Sequence, residues 1–229
     1  SLPINVQSPA GFDSQSWLWA SGNRMLDDRR ANFETPEVAS WLEFLKGQYD
    51  GGYVTPGAFT QQEQQKVEEF TAGRNAFMIG SLAHVQGIRD ANPDLNFSIG
   101  SVPAEEGTSS GIAGASWGLG IAENSEHKAE AFKLVQFLMS KDVNSQLSSV
   151  AKAFPGNKQS VPDYVQSAAL MKKAFDIYQS GVPANEFVGL PAAEDLMRTF
   201  DTELQAVLSG DESTTDGLAK VQQAWSEKF

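Results

Sequence analysis

Apolar residues recur at helical spacing along most of the chain. Val38, Trp41, Leu42, Leu45 and Tyr49 fall on one face of a predicted helix. Thr35 is a suitable N-cap for this helix, Pro36 suits its first position, and Gly51-Gly52 should end it. The same reasoning predicts helices at 17–26, 81–91, 125–138, 142–150, 164–178, 192–208 and around 218–225. A further helix opens at a capping box from Thr60 to Glu63, has Val67 and Phe70 as its apolar contacts and ends at Gly73. Trp41 and Trp225 lie on apolar helix faces and are expected in the core.

Short apolar runs between these helices predict strands. They cover residues 2–6, 76–79, 97–102 and 115–122. The run 76–79 follows a helix that ends at Gly73 and breaks at Gly80-Ser81, where the next helix begins. That order places a helix N-terminus at the carboxyl end of a strand, where open α/β sheets bind ligands. The alternation predicts an α/β fold with mixed or parallel strands.

The composition narrows the possible functions. A chain of 229 residues with 41% hydrophobic and 20% charged residues is globular. Its net charge of −12 argues against nucleic acid and anionic lipid as partners. Cysteine is absent, which excludes disulfides and thiol catalysis. No apolar run approaches the ~18 residues of a membrane span, and we expect no signal peptide within these residues. Because the chain begins at Ser1, we expect a processed or excised piece of a longer protein.

Residues for catalysis and metal binding are sparse. The two histidines, His84 and His127, lie in different predicted helices without a second histidine or a cysteine nearby, so no zinc site is predicted. Dinucleotide, phosphate-loop and nucleophile-elbow motifs are missing. Adjacent acids such as Glu105 and Glu106 diverge in direction and form a poor acid–base pair. We therefore expect no catalytic residues, no metal and no cofactor.

Two residues stand out as candidate ligand contacts. Trp117 lies among Gly114, Ala115, Ser116 and Gly118, which are too small to build a core around it. A large ring in that setting is either a platform for a flat apolar ligand face, such as a sugar ring, or a packing residue. His84, near a helix start, is either a polar ligand contact or a partly buried helix residue.

Several segments resemble one known family. Phe70–Gly73, Ala76–Gly80 and Asn92–Pro103 match, in order and spacing, a segment of extracellular solute-binding proteins of carbohydrate transporters, with one extra residue between Gly73 and Ala76. The matches continue with Phe33–Leu42, Gly52–Pro56, Gly114–Ile121, Asn124–Leu138 and Phe154–Lys158. This resemblance implies an α/β fold of the periplasmic-binding-protein-like type II class, in which two lobes enclose the ligand.

The resemblance also implies a domain organisation. The chain resembles mainly the C-terminal lobe, formed by 1–112 and 168–229. Residues 113–167 would form the hinge and a crossover segment that packs with a missing N-terminal lobe. The apolar residues of that segment would need a partner surface. Without one we expect an exposed apolar patch, disorder within 125–160 or pairing with another chain. The residues concerned are Phe132, Val135, Leu138, Leu147 and Val150.

Family contacts transfer to individual positions. Phe12 occupies the place of an aromatic contact before the first helix. Ser81 and Leu82 form the turn before His84, and Leu82 stands where relatives often carry tryptophan. Trp117, with Gly118 beside it, matches an aromatic near the crossing strands. The helix start after Pro191 supplies the remaining candidates, which are Glu194, Met197 and Arg198.

The implied function is substrate binding for an ABC importer. A sugar or oligosaccharide would bind between the lobes, and lobe closure would present a surface to the membrane permease. Such a protein would be periplasmic or an extracellular, cell-surface lipoprotein, and not an enzyme. The alternative is a carbohydrate-acting enzyme that uses cleft carboxylates such as Glu194 and Asp195, although two acids on one helical turn suit glycosidic chemistry poorly. A helical interaction module is a third possibility, which the strand and glycine pattern does not favour.

Overall fold

The computed structural model describes residues 12–28, 30–58, 61–81, 84–103, 112–113, 118–183, 186 and 190–229. Within these ranges the chain forms ten helices and four two-residue strands. They are α1 Phe12–Ala20, β1 Leu26–Asp27, β2 Arg30–Ala31, α2 Pro36–Asp50, α3 Glu63–Thr71, α4 His84–Ala91, β3 Ile112–Ala113, α5 Lys128–Leu138, α6 Lys141–Ala151, α7 Tyr164–Ser167, α8 Ala169–Ser180, β4 Val182–Pro183, α9 Ala193–Ser209 and α10 Thr214–Ser226.

The predicted bounds of α2 are confirmed. The Thr35 hydroxyl accepts a hydrogen bond from the Val38 backbone N–H at 3.4 Å, and Pro36 occupies the first helical position. The helix ends at Asp50, and Gly52 follows with a φ of 69°, a conformation that glycine adopts without steric cost. Local side-chain chemistry was sufficient to locate both ends of this helix.

The start of α3 differs from the prediction. Its N-cap is Gln62, whose backbone N–H donates to the Gln65 side-chain oxygen at 2.8 Å. Glu63 is therefore the first helical residue and not the closing member of a capping box from Thr60, which lies outside the described residues. The side chain of Glu63 is instead engaged by Lys66 and His84. Because the Glu63 carboxylate binds these two side chains, one of them 21 residues away, the capping box predicted from the local sequence was wrong.

The predicted strands at 76–79 and 97–102 are not found as strands. Residues 76–79 form no bridge, and Phe77 is 70% exposed, while the run 97–102 has a single isolated bridge at Val102. Residues 118–122 also have no regular structure, and 2–6 and 115–117 lie outside the described residues. A strand needs several consecutive residues paired with a neighbouring segment, and neither run has that pairing in the described ranges. The strands that do form pair as β1 antiparallel to β2 and as β3 parallel to β4, the latter joining Ile112 to Val182.

The main hydrophobic core lies between α1, α2, α9 and α10. Phe33 and Trp225 meet edge to face with ring centroids 4.7 Å apart, and Trp41 stacks on Phe200 at 6.1 Å. The indole N–H of Trp225 donates to the Leu196 carbonyl at 3.1 Å, which satisfies its polar atom inside the core. Trp41 and Trp225 are thus core residues, as their helical spacing predicted.

A second, smaller core joins α4 to α7 and α8. It contains Val85, Tyr164, Val165, Met171 and Phe175. Phe97 and Phe154 pack against it, and the ring of Phe154 stacks on Tyr178 with centroids 4.2 Å apart. This core includes residues from both sides of position 168, where the sequence placed a lobe boundary. The two predicted domains and their boundaries stay a prediction.

The α5–α6 pair exposes much of its apolar surface. Phe132, Leu134, Phe137, Leu147 and Val150, the exposed apolar set of α5 and α6, are all accessible to solvent, with Val150 86% exposed. No residue of α5 is buried, and the residues that α6 buries are Asn144 and Ser148. The predicted exposure is confirmed for Phe132, Leu147 and Val150, whereas Val135 and Leu138 are half-buried.

The internal face of α6 is held by polar contacts. Asn144 accepts a hydrogen bond from the Asn157 backbone N–H at 3.0 Å, and the Ser145 and Ser149 hydroxyls accept from the following segment. The usual amphipathic arrangement, in which a helix turns its apolar side inward, is therefore reversed in α6. None of the described helices is both long and apolar enough to span a bilayer.

Candidate functional site

The first turns of three helices meet around one lysine. The Lys66 side chain, in the first turn of α3, is fully buried at 0% exposure. Its ammonium group forms ion pairs with Asp13, in the first turn of α1, and with Glu63, 2.7 Å away in its own helix. Because Glu63 and Lys66 are three residues apart on a helix, their side chains share one face.

The start of α4 joins the same cluster through Glu63. His84, the first residue of α4, places its Nε2 atom 2.9 Å from Glu63 Oε1, while Oε2 of the same carboxylate faces Lys66. Asp13, Lys66, Glu63 and His84 thus form a continuous line, called here the ion cluster. It connects the N-terminal ends of α1, α3 and α4, the end of a helix at which the first backbone N–H groups have no partner within the helix.

The two carboxylates of the ion cluster have opposite pKa shifts. Burial raises the pKa of Asp13 to about 6, although Lys66 opposes the rise. The hydrogen bond with His84, together with that from Lys66, lowers the pKa of Glu63 to about 2 despite partial burial. Glu63 is therefore ionised over the physiological range, and Asp13 takes up a proton just below neutrality.

Three predicted contacts lie at or beside this cluster. Phe12 begins α1 and directly precedes Asp13; its side chain is outside the described part. The Ser81 carbonyl accepts a hydrogen bond from the His84 backbone N–H at 3.1 Å, so Ser81 is the first residue of the turn that leads into α4. The described helix begins at His84, and residues 82–83 of the predicted helix lie outside the described residues. Phe12, Ser81 and His84 are nevertheless brought to neighbouring helix starts.

The predicted contacts on α9 divide between two environments. Met197 is buried, and its sulfur accepts a hydrogen bond from the Gln15 side chain at 3.5 Å, which links α9 to α1. Glu194 and Arg198 are exposed and pair with each other at 2.9 Å. The described contacts do not join this exposed pair to the ion cluster. A ligand role for any of the three stays a prediction.

The remaining predicted contacts are Gly118, Leu82 and Trp117. Gly118 is exposed and has no regular structure. Leu82 and Trp117 lie outside the described residues, so the stacking role proposed for Trp117 stays a prediction. In the described ranges, no group of three metal-ligating side chains occurs. The cation inside the ion cluster is the Lys66 ammonium itself.

Sequence reasoning missed Asp13, Glu63 and Lys66 as members of one site. One signal was available: Lys66 shares a helical face with Val67 and Phe70, the apolar contacts predicted for α3. A lysine on an apolar face must either extend its charge to water or find a buried partner. The partner, Asp13, is 53 residues away in sequence, and no local pattern identifies it.

A buried acid, Glu186, contacts the segment between α1 and β1. Glu186 accepts a hydrogen bond from the Met25 backbone N–H at 2.8 Å and lies 3.5 Å from the Arg24 side chain. Burial raises the pKa of Glu186, and the contacts with Met25, Arg24 and Trp19 oppose the rise. These contacts join Glu186 to the chain just before β1.

Comparison with known proteins gives a consistent result. Residues 6–173 match the family described as bacterial extracellular solute-binding protein. A binding protein from Brucella abortus strain 2308 is 25% identical over 156 residues, which is 67% of this chain and 38% of the relative.

Solved structures extend the likeness over the whole chain. The sugar-binding protein MalE from Xanthomonas citri superposes with a TM-score of 0.78 at 18% identity, covering 100% of this chain and 57% of that one. A sugar transporter from Bacillus licheniformis, in complex with stachyose, gives a TM-score of 0.71 at 20% identity and covers 100% and 60%. The chain therefore spans less than two thirds of the length of the proteins that it matches.

Proposed function

Because the chain belongs to the bacterial extracellular solute-binding proteins, we propose that it is part of the substrate-binding component of an ABC importer and that its ligand is a sugar or oligosaccharide. The family match confirms the resemblance identified from the sequence. The superpositions confirm the periplasmic-binding-protein-like fold class, of which this chain covers a part. The family is described as bacterial and extracellular. We propose in addition that this protein is anchored to the cell surface as a lipoprotein and that it delivers its ligand to a membrane permease.

The observation that carries the proposal is the meeting of helix starts at the ion cluster. The first turns of α1, α3 and α4 bring predicted ligand contacts from distant parts of the sequence to one place. The first backbone N–H groups of a helix have no partner within the helix, and such groups, together with serine hydroxyls such as that of Ser81, are suitable hydrogen-bond partners for sugar hydroxyls. The structural relatives with sugar-binding descriptions support a carbohydrate over other solutes.

In this mechanism, aromatic rings and polar groups recognise different parts of the sugar. Phe12 and Trp117 would stack on apolar ring faces, while Ser81, His84 and backbone groups would bind hydroxyls. The two lobes would close around the sugar and present a joint surface to the permease. The enzymatic alternative finds no support in α9, where Glu194 pairs with Arg198 and Asp195 pairs with Lys228 at 2.8 Å, all at the surface.

Sugar binding should stabilise the complete gene product against heat. A ligand present at about 100 times its Kd adds about 2.7 kcal/mol to the free energy of unfolding. We expect stachyose, maltose or another member of an oligosaccharide panel to raise the Tm by several degrees, as measured by calorimetry. A panel of sugars without effect, beside an amino-acid or peptide panel that raises the Tm, would refute a carbohydrate ligand.

Trp117→Ala should weaken the affinity for that sugar about tenfold or more, because stacking and buried apolar area are both lost. Phe229→Ala is the matched control, since Phe229 is an exposed aromatic at the chain end. Titration calorimetry of both variants checks the expectation. Equal affinities of wild type and Trp117→Ala would favour the packing role of this tryptophan.

We also propose that residues 113–167 pack with an N-terminal lobe and that this lobe covers the exposed apolar set of α5 and α6. Five large apolar side chains on two adjacent helices form more uncovered surface than an isolated soluble domain usually carries. The reversed amphipathicity of α6 supports the same conclusion, because its polar side already makes internal contacts.

A chain of residues 1–229 should therefore bind a hydrophobic dye strongly or self-associate. Replacing Leu147 and Val150 by glutamate should remove most of the dye fluorescence, since these side chains are exposed. Val161→Glu, at an exposed apolar position outside the set, is the control and should change the fluorescence little. A monomeric chain that binds no dye would contradict the proposed lobe contact.

A further inference from the structure

Lys66 is buried at an energetic cost that packing alone does not explain. Its side chain is 0% exposed on a helix whose adjacent contacts, Val67 and Phe70, are apolar. Burying an ammonium group costs several kcal/mol before its partners compensate, and an apolar residue of similar volume often serves stability equally well. We therefore expect the charge of Lys66 to be needed at this buried position because it holds neighbouring elements in a fixed arrangement.

The geometry shows what the charge connects. Asp13 reaches the Lys66 ammonium from α1, and Glu63 reaches it from α3 at 2.7 Å. The second oxygen of Glu63 contacts His84 at the start of α4. These are the charged groups that face Lys66 from the three elements. At their other ends α3 and α4 are joined by the Asn92 side chain, which donates to the Thr71 carbonyl at 2.7 Å.

The two helices α3 and α4 therefore run side by side and are fastened at both ends, while Lys66 connects the pair to the first turn of α1. That first turn carries Phe12, and the turn before α4 carries Ser81. Movement of α1 relative to α4 would change the distance between these two candidate contacts. The ammonium group is positioned to prevent that movement.

We propose that Lys66 is a positioning residue of the candidate ligand site, whose charge sets the first turn of α1 against the turn that precedes α4. The link to ligand binding rests on the proposed function, whereas the positioning is measurable without a ligand. Lys66 itself does not need to touch the solute.

Removing the charge has a pH signature. In the wild type, burial raises the pKa of Asp13 to about 6 against the opposing effect of Lys66. In Lys66→Met, Asp13 loses its cation and keeps its burial and its carboxylate neighbour Glu63, so its pKa rises further. Between pH 6 and this higher pKa, the unfolded variant releases a proton that the folded variant retains. The stability deficit of Lys66→Met therefore grows as the pH rises.

Urea unfolding at pH 5 and pH 8 tests this signature. The unfolding constant of Lys66→Met divided by that of the wild type should be at least tenfold larger at pH 8 than at pH 5, whereas a packing defect alone gives the same quotient at both pH values. Asp201, whose pKa burial raises to about 7, is present in both proteins, so its effect cancels in the comparison. Lys46→Met, which removes a partly exposed lysine paired with the exposed Asp50 at 2.8 Å, is the control, and its quotient should be the same at both pH values within twofold.

The double variant Asp13→Asn/Lys66→Met lacks the link between α1 and α3 but has no unpaired buried carboxylate. It therefore separates the loss of positioning from the cost of burying a charge, and it can be measured even if Lys66→Met does not fold. Without the unpaired carboxylate, its stability at pH 8 should recover at least tenfold relative to Lys66→Met. We expect amide hydrogen exchange at Ile88 and Arg89 of α4 to stay at least tenfold faster than in the wild type, because the link to α1 is still missing. Wild-type exchange rates in the double variant would overturn the proposal.

A binding measurement completes the test. The double variant should bind the sugar found by the thermal panel at least tenfold more weakly than the wild type, and Lys46→Met should bind it normally. Wild-type affinity in the double variant would overturn the positioning role in the ligand site. If the wild type itself binds no sugar, the proposed function fails, and the hydrogen exchange of α4 still decides whether Lys66 positions the helices.

Discussion

Asp201→Asn is expected to stabilise the protein at pH 8 by about 2 kcal/mol and to change its stability little at pH 4. Asp201 lies in the middle of α9 and is only 5% exposed. In the described part of the chain, neither of its carboxylate oxygens has a hydrogen-bond partner. Burial alone raises the pKa of Asp201 to about 7. The buried charge therefore opposes folding at alkaline pH, and an uncharged amide removes that cost.

The direction of the pH dependence follows from proton uptake. The pKa of an unfolded aspartate is about 3.9, so between about pH 4 and pH 7 the folded state retains a proton that the unfolded state has released. The contribution of Asp201 is most favourable below pH 4, declines as the pH rises to about 7, and stays low above that value. The amide that replaces this carboxyl in the variant does not titrate, so the decline should disappear.

Urea denaturation of wild type and variant from pH 4 to pH 9 measures the difference. Asp176→Asn is the matched control, because Asp176 lies within α8 at the surface and pairs with Lys172 at 2.6 Å. Its stability should change by less than about 0.5 kcal/mol at every pH. If the difference between wild type and Asp201→Asn is the same at pH 4 and pH 8, Asp201 is not buried as the structure shows.

Features that depend on neighbours in sequence were predictable. Thr35 and Pro36 determine the start of α2 through one local hydrogen bond and a fixed φ, and the structure confirms both. The spacing of Trp41 and Trp225 on apolar helix faces predicted their burial correctly. Periodicity reports the face on which a residue lies, and for large aromatic side chains that is enough to assign them to the core.

Features that depend on distant partners were not predictable from one sequence. Asp201 lies four residues after Met197 and three before Leu204, so its spacing places it on the apolar face of α9. Spacing alone does not show whether a carboxylate on that face reaches a partner, and among the described residues its oxygens find none. Likewise, Glu63 looks like a capping residue until Lys66 and His84 approach it. The apolar run 76–79 has strand propensity, but strand formation depends on partner strands that sequence does not identify.

The candidate site shows the same division. The order of helix, apolar run, glycine and helix located Ser81 and His84 at a helix start, and the family resemblance added Phe12. The contact that brings α1 to α3, between Asp13 and Lys66, spans 53 residues and has no local signal apart from a lysine on an apolar face. The predicted contacts on α9 depend on packing in a similar way, because Met197 is buried and Glu194 is exposed on the same helix.

Phe33→Ala is expected to destabilise the chain by about 4 kcal/mol, the largest loss among the variants considered. The Phe33 ring is fully buried between Trp225 and Phe200, with centroids 4.7 Å and 5.9 Å away. Its backbone N–H also donates to the Gln222 side chain at 2.8 Å, which fixes the segment before α2 against α10. Removing the ring leaves a cavity that this fixed backbone cannot close, so the surrounding aromatic residues lose their contacts.

Phe132→Ala is the matched control, because the same atoms are removed from a ring that is 54% exposed on α5. In a chain of residues 1–229 it should cost less than about 0.5 kcal/mol. Equal losses for the two variants in urea unfolding would contradict the core assignment of Phe33. Phe132→Ala could instead lower the free energy of unfolding by more than about 1 kcal/mol in the complete gene product alone. That result would indicate that another part of the protein covers α5. One pair of substitutions therefore tests both the core of this chain and the proposed lobe contact.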